Sequence, residues 1–461
     1  MKPQSSSSGT YKPKTSHMLK FIIGSVVGVF LFLAPIPTAD AFNIPLGFAI
    51  DWIGDVLSLD GVNIATLLAF IFIVISCLGT LLAYTVKPAF IMDNEKLKDI
   101  FDTHPVYAVS RFIALVLVSM VYFNFGPSFV THGETGGLML HELVTGLISI
   151  FLVLALAIPI LTDFGLMEFI GTLIQRFIRF LFTLPGRAAI DLAASWFGSS
   201  AVSVIITRGQ HEKGFYTGRE AAAICVNFSF VSLPFSFVVA RTLGLQGHFF
   251  AWYLIICFTC IILAIITPRI WPLSKITDTY LEDVGKQIDE DTTIGKSRVQ
   301  KAFATASERA GRTTVKDFAA GSIKCYLDVF MDLIPVIMAW GTIALIINEF
   351  TPVFDVISMP MRWFLEILQV QGAADYASTT LVGFIDMFIP ALILGNQTYI
   401  ETRFILGALS IVQIIYMAET GILILKSKIP LGIGKLFLVF MIRTLLALPI
   451  LVFLTRMFIS L

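Results

Sequence analysis

Residues 186–207, GRAAIDLAASWFGSSAVSVIIT, decide how this chain can be threaded through a membrane. Their apolar part, 190–207, is short for a membrane-spanning helix, which needs about 20 residues. Arg208, Lys213 and Arg219 follow it. If the stretch crossed the bilayer, these cations would lie outside, against the excess of Lys and Arg found in cytoplasmic loops. We therefore predict a re-entrant helical hairpin at 190–207, and the similar stretch 376–395 predicts a second one.

The rest of the chain has the composition of a membrane protein. Hydrophobic residues make up 56% of its 461 residues and charged residues only 14%, whereas soluble domains are about one-quarter charged. The formal net charge is zero, so no nucleic-acid partner is expected. We predict an all-α polytopic membrane protein with about nine transmembrane helices, two re-entrant helical hairpins and two interfacial helices. The predicted transmembrane segments are 21–37, 62–86, 107–126, 143–162, 220–240, 249–268, 325–348, 402–425 and 436–457.

The positions of Lys and Arg orient these segments. The N-terminal tail carries four lysines, whereas the loop 38–61 has four aspartates and neither Lys nor Arg. The positive-inside rule then places the N-terminus and the polar loop 269–324 in the cytoplasm and the C-terminus outside.

An internal repeat links the two hairpins. The sequence IPILTDFG at 158–165 resembles IPVIMAWG at 334–341. Each is followed by a stretch with one polar face at helical spacing, 166–182 or 352–369, then by a hairpin and a span. Such amphipathic helices lie in the membrane interface. The charge-based threading gives the two copies opposite directions, so the repeat is predicted to be inverted.

This pattern divides the chain into seven predicted parts. They are the cytoplasmic tail 1–20, a three-helix region 21–142, the first repeat 143–248, a linking transmembrane helix 249–268, the cytoplasmic loop 269–324, the second repeat 325–431 and a C-terminal transmembrane helix 432–461. We interpret the loop 269–324 as a linker with some helix.

The hairpin tips are the predicted functional site. Helix ends inside a membrane have unpaired N–H and C=O groups and partial charges, so facing tips of inverted repeats form polar binding sites. Ionisable residues in apolar segments are the first candidates. Glu419 could bind a cation or proton or only stabilise packing, and Asp386 could bind solute or ion or only cap its hairpin. Arg443 could bind a carboxylate, pair with Glu419 or snorkel to the interface.

Uncharged polar residues near the hairpins complete the candidate substrate- or ion-binding set. Each has the alternative of a packing or capping hydrogen bond. They are Ser195, Ser199, Ser200, Asn227, Ser229, Ser232, Asn396, Gln397 and Gln413. Asp328 and Asp332 are expected at a solvated cytoplasmic entrance.

Three motifs resemble those of a known family: DLAASWFGSS at 191–200, YTGREA at 216–221 and FSFVS at 228–232. With them the chain resembles, over most of its length, the YjiH family of Gate-domain ("nucleoside recognition") bacterial inner-membrane proteins, distantly similar to concentrative nucleoside transporters. The resemblance implies transport and a bacterial inner-membrane location. It leaves the cargo open, because the first hairpin carries serines where those transporters have strongly polar Gln/Thr/Glu patterns.

The predicted function is secondary transport of a small polar solute, such as a nucleoside, amino acid or related metabolite, by alternating access. The chain lacks a phosphate-binding Gly-x-x-x-x-Gly-Lys-Ser/Thr loop, so sodium, protons or the solute's own gradient would drive it. No cofactor, metal or enzymatic activity is predicted. The alternatives are a non-transporting scaffold or partner subunit, and, less favoured, an intramembrane hydrolase. The expected partners are the lipid bilayer, the solute, further copies of the chain in a homo-oligomer and, as an option, a small membrane subunit.

Overall fold

The computed structural model describes residues 14–34, 36–37, 42–58, 63–103, 105–281, 298–395 and 397–458. Within these ranges the chain is almost entirely helical. The β structure there is one antiparallel pair of two-residue strands, Ile36–Pro37 and Phe42–Asn43. The predicted all-α class is therefore confirmed.

Among the described residues, eight helical stretches are long and apolar enough to cross a membrane, and a bent pair of helices provides a ninth. Each coincides with one of the nine predicted segments, so the chain is a multi-pass membrane protein. The stretches are Thr15–Phe32, Ile64–Thr85, Pro105–Tyr122, Ser128–Asp163, Gln246–Lys275, Val315–Phe350, Ile400–Leu425 and Ile433–Phe458, and the bent pair is Gly218–Phe228 with Leu233–Thr242.

Shorter helices connect these stretches. Leu166–Phe177 and Val353–Ile367 occupy the positions predicted for the two interfacial helices. Both have polar residues at three-and-four spacing, which gives each helix one polar face. The other short helices are Pro45–Leu57, Ala89–Met92, Glu95–Phe101, Ile178–Phe182, Ala188–Phe197, Ser200–Glu212, Arg298–Arg312, Ala373–Tyr376, Thr379–Val382 and Ile389–Leu394.

The first predicted hairpin is present as two helical arms, Ala188–Phe197 and Ser200–Glu212, which pack against each other and are named hairpin 1. The turn between them is sharp because Gly198 leaves helical geometry, with φ −105° and ψ −98°. A Cβ atom on Gly198 would lie 2.6 Å from the carbonyl oxygen of Ala194. Glycine is therefore required at this turn.

The second hairpin, hairpin 2 (373–394), is less regular. Its first arm consists of Ala373–Tyr376 and Thr379–Val382, and its second arm is Ile389–Leu394. Pro390 stands in the first turn of the second arm, where a proline needs no N–H. The residues between the arms, 383–388, form the tip of hairpin 2.

The helix after each hairpin is interrupted at a corresponding place. Break 1 (229–232) separates Gly218–Phe228 from Leu233–Thr242, which are bent by 41°. Break 2 (413–416) separates Ile400–Val412 from the π-helical turn Met417–Gly421. The spans 220–240 and 402–425 were predicted as continuous, so the breaks are an addition to the predicted fold. Both halves thus share the order of span, amphipathic helix, hairpin and broken helix.

The polar loop 269–324 contains a docked helix. Arg298–Arg312 packs against Thr15–Leu33 and Leu166–Phe177, burying alanines that recur every four residues. Arg309 donates to the Asp163 carboxylate at 3.0 Å. This loop is therefore attached to the start of the first amphipathic helix, whereas the sequence predicted only a linker with some helix.

A buried ion pair joins the N-terminal helices to the second repeat. Arg111 is fully buried, and its guanidinium binds the Asp332 carboxylate and the Thr80 hydroxyl. Asp332 keeps 39% of its side-chain surface exposed. Asp332 therefore stands at a partly exposed position, as expected of an entrance, and also neutralises an arginine that the sequence reading had not singled out.

Replacing Asp332 with asparagine should destabilise the protein strongly. The substitution leaves the Arg111 charge buried without its counter-ion. This costs about 3–5 kcal/mol where both partners are buried, and less here because Asp332 is 39% exposed. The melting temperature in detergent measures this effect. Asp375→Asn is the matched control. Asp375 is 73% exposed, and its carboxylate lies 3.4 Å from the guanidinium of the exposed Arg362. Exposed ion pairs contribute about 0–1 kcal/mol to stability. Equal melting temperatures for the two variants would contradict the structural role of the Arg111 pair.

Candidate functional site

Both hairpins meet one short stretch of the second broken helix. We call residues 413–421 the central segment; it comprises break 2 and the π-helical turn that follows it. Hairpin 1 belongs to the first repeat and hairpin 2 to the second. The central segment is therefore where the two repeats contact each other through their irregular backbone.

Glu419 connects the central segment to hairpin 1. Its Oε1 atom accepts hydrogen bonds from the Ser199 hydroxyl at 3.0 Å and from the Ala201 N–H at 3.1 Å. The carboxylate thus caps the N-terminus of the arm Ser200–Glu212, where free N–H groups and the helix dipole favour an anion. Glu419 remains partly exposed, so it keeps a surface that a solute or ion can approach.

Backbone hydrogen bonds connect the central segment to hairpin 2. The N–H groups of Met417 and Ala418 donate to the carbonyl oxygens of Phe384 and Ile385 at 2.8 and 3.0 Å. This contact joins two consecutive N–H groups to two consecutive carbonyl oxygens. It satisfies backbone groups that break 2 and the hairpin tip would otherwise leave unpaired.

Asp386 lies at the tip of hairpin 2 and is only 7% exposed. Its Oδ1 atom accepts from the Phe388 N–H at 2.8 Å. One carboxylate oxygen is therefore used to cap the arm Ile389–Leu394, which is the capping alternative that the sequence left open.

Gln413 occupies break 2 and has no exposed surface. Its Nε2 atom donates to the Thr380 carbonyl at 2.7 Å and to the Thr444 hydroxyl at 2.8 Å. Its Oε1 atom is buried and has no partner among the described residues. That oxygen packs against Gly383, where an added Cβ would lie 2.2 Å from it. Gln413 therefore presents an unused acceptor beside the tip of hairpin 2.

Arg443 joins the two broken helices. It is fully buried, and its Nε and Nη2 atoms donate to the Val412 carbonyl at 3.3 and 2.8 Å. Its Nη1 atom donates to Asn227 Oδ1 at 2.5 Å, and that oxygen also accepts from the Thr267 hydroxyl at 2.7 Å. Val412 ends one half-helix and Asn227 lies at the end of the other, so the cation stands at two helix C-termini, whose partial charges are negative. Among the described residues Arg443 forms no ion pair with Glu419, and it does not reach the surface.

The serine candidates surround break 1. Ser195 donates to the Phe230 carbonyl and so ties hairpin 1 to break 1. Ser229 is fully buried, and its hydroxyl has no partner among the described residues. Ser232 stands at the N-cap of Leu233–Thr242 without a side-chain capping bond, and Ser200 is buried in the first turn of its arm.

The remaining two candidates belong to the base of hairpin 2. Gln397 donates to the Gly372 carbonyl at 3.4 Å and accepts from the Tyr399 N–H at 3.3 Å. These contacts hold the two ends of the hairpin together, away from the central segment. Asn396 lies outside the described residues.

Sequence reasoning missed the residues that hold break 2 in place. The Tyr416 hydroxyl donates to the Ile411 carbonyl at 2.7 Å, and the Thr420 hydroxyl donates to the Ile414 carbonyl at 3.0 Å. Ile414 itself has φ +63°, a left-handed conformation that is rare for a β-branched side chain. The central segment therefore contains a strained residue held by buried hydroxyls, a feature that often accompanies functional sites.

The candidate residues offer polar groups for binding. They are the partly exposed carboxylate of Glu419 and two buried groups without a partner among the described residues, the Gln413 Oε1 atom and the Ser229 hydroxyl. The hydroxyl of Ser199 donates to Glu419, and His211 is hydrogen-bonded to the Tyr216 carbonyl at 2.9 Å. His211 is therefore engaged by the backbone, and the acid–base group in contact with Ser199 is the carboxylate of Glu419.

The fold and site define a helical, multi-pass membrane protein with two repeats of amphipathic helix, hairpin and broken helix. Residues 144–246 match the Gate family model, described as nucleoside recognition. That match covers hairpin 1, break 1 and the helices around them. The chain is also 43% identical over 447 residues to an uncharacterized protein of Alkalihalophilus pseudofirmus, covering 96% of this chain and 95% of that protein. No solved structure is significantly similar to it. The chain belongs to the Gate-domain family of membrane proteins, which confirms the resemblance given by its motifs.

Proposed function

We propose that the protein is a secondary transporter of a small polar solute that works by alternating access. Gate-domain membership and the many apolar helices fit a membrane transporter in general. The observation that carries the proposal is the central segment, which contacts both hairpin tips and both repeats. Irregular backbone with partly unpaired polar groups persists inside a membrane protein only where protein or a cavity satisfies it, and such places bind transported solutes.

The proposed movement is a rocking of one repeat against the other. The contacts that this movement would change at the central segment are the hydrogen bonds from hairpin 1 to Glu419 and the Arg443 bridge between the two half-helices. Each of these contacts joins one repeat to the other. Breaking the contacts on one side of the central segment would open it toward that side of the membrane. Sodium or protons would supply the coupling, since the chain carries no ATP-binding loop.

The proposed solute is small and polar, of the nucleoside, amino acid or related metabolite class. The unpartnered Gln413 oxygen and Ser229 hydroxyl supply hydrogen bonds, and Glu419 supplies charge. A transporter of this kind would reside in the bacterial inner membrane with its N-terminus in the cytoplasm, as the distribution of Lys and Arg indicates. We further propose that it assembles as a homo-oligomer.

A thermal-shift screen tests for the solute. The purified chain is heated with nucleosides, amino acids, dipeptides and short organic acids, each with and without sodium. A ligand that binds only the folded protein stabilises it and so raises the melting temperature. At a ligand concentration of one hundred times the Kd, the added free energy of unfolding is about 2.7 kcal/mol. We expect a shift with one of these classes in the wild type. A shift that persists unchanged in Gln413→Ala and Glu419→Gln would place the binding site elsewhere.

A further inference from the structure

Hairpin 1 contains a second buried polar cluster, away from the central segment. Asp191 lies on its first arm and has no exposed surface. Its Oδ1 atom accepts from the Thr207 hydroxyl of the second arm at 3.1 Å, and its Oδ2 atom accepts from the Tyr216 hydroxyl of the following loop at 2.5 Å. One carboxylate thus ties together both arms of the hairpin and the loop that leads out of it.

The nearest cation to this carboxylate is Arg187, whose charge acts on it. The two hydrogen bonds that Asp191 accepts come from uncharged hydroxyl groups. Arg187, one turn earlier on the same arm, lies 3.9 Å over the ring of Phe215. Cys225 approaches from the next helix as a buried, free thiol, and His211 contacts the backbone of Tyr216 rather than the carboxylate.

Ionisable side chains on the other helices packed around this arm have different partners. Glu168 and Asp163 both face Arg309 of the cytoplasmic helix, and Arg176 is exposed. Arg241 binds Asp51, near the opposite end of its helix. Glu220 accepts from the Thr217 N–H in a capping box. The charge of Asp191 is therefore stabilised by two hydroxyl donors, the helix N-terminus and the charge of Arg187.

From this geometry we propose that Asp191 is a proton-binding site, and, resting on the proposed transport function, that it takes up the coupling proton. A carboxylate with no exposed surface is costly to keep charged, and a proton from the medium removes the charge. The charged form accepts from both hydroxyls and holds the arms of hairpin 1 together. The neutral form carries an O–H that must itself find an acceptor, so at least one of the two hydrogen bonds has to rearrange.

Infrared difference spectroscopy tests the site without any solute, because the proton itself is the probe. The full-length protein in lipid is titrated with acid, and the C=O stretch of a protonated carboxyl group is followed. We expect a band in the wild type that is absent in Asp191→Asn and retained in the control Asp375→Asn. Identical spectra of the wild type and Asp191→Asn over the whole titration would overturn the proposal.

Tyr216→Phe provides a second test if Asp191→Asn does not fold. It removes one donor to the charged form while keeping the ring, so the band should appear at a pH higher by about one unit. An unchanged midpoint would overturn the role of the cluster. The proton site and the transport function can fail separately. A titrating band in a protein that shows no flux would support the proton site and contradict the transport function. Flux in a protein without the band would support transport and contradict the proton site.

Discussion

Replacing Arg443 with methionine should lower the melting temperature of the purified protein by many degrees. Methionine fills similar space but cannot donate to the Val412 carbonyl or to Asn227, so two buried acceptors lose their cationic partner. Leaving a buried acceptor without a bond costs about 1–3 kcal/mol, or about 2–6 kcal/mol for both. Arg443→Lys should recover only part of this, because an ammonium group cannot reproduce the planar fork that reaches both half-helices.

Arg456→Met is the matched control for Arg443, since it lies in the same helix and is 43% exposed. Its guanidinium binds Glu401 and the carbonyl oxygens of Leu368 and Gln369. These groups can turn to water when Arg456 is replaced, and exposed ion pairs contribute about 0–1 kcal/mol. Thermal unfolding followed in detergent compares the two variants directly. If Arg443→Met and Arg456→Met melted at the same temperature, Arg443 would not be the link between the two broken helices.

Replacing Glu419 with glutamine should reduce solute flux at least tenfold with little change in stability. The glutamine oxygen can still accept from Ser199 and from the Ala201 N–H, so the cap on hairpin 1 persists. The substitution removes the negative charge that Glu419 contributes to the central segment. A tenfold loss corresponds to about 1.4 kcal/mol of binding free energy, which is a modest demand on one charged contact.

Glu401→Gln is the control for this experiment, because Glu401 begins the same broken helix and pairs with Arg456 at 2.8 Å. Flux into proteoliposomes is measured for both variants, with the solute that the thermal-shift screen identifies. We expect Glu401→Gln to transport like the wild type. Wild-type flux in Glu419→Gln would remove the carboxylate from the transport site.

The spans and hairpins could be predicted because they depend on patterns that a sequence displays. A membrane helix requires a continuous apolar run, and the cations after residue 207 made a crossing at hairpin 1 unfavourable. Each predicted span has its helix in the structure. The breaks in the two helices are harder to predict from the sequence. Break 1 has one signal, Pro234 just after it. Break 2 contains neither Gly nor Pro, and it is held by local hydrogen bonds of Tyr416 and by bonds from Gln413 to Thr380 and Thr444.

The partners of the site residues could not be predicted, because they lie far apart in the chain. Ser199 and Glu419 are 220 positions apart, and Asn227 and Arg443 are 216 positions apart. A helical pattern tells which face a residue is on, but not how deep it lies or which helix end meets it. For Arg443 the sequence left binding, pairing and snorkelling open, and the structure assigns it to two helix C-termini. Asp191 stands at the start of the predicted hairpin. An aspartate among alanines in an apolar stretch is itself a signal of a functional residue.

Solute counterflow in proteoliposomes tests the central claim most directly. Vesicles containing the protein are loaded with the unlabelled solute found by thermal shift and diluted into a trace of the labelled solute. Alternating access predicts a transient accumulation of label above its equilibrium level in the wild type and in Glu401→Gln, and none in Glu419→Gln. Saturable binding of the solute without any accumulation of label in the wild type would contradict transport and favour a non-transporting membrane scaffold.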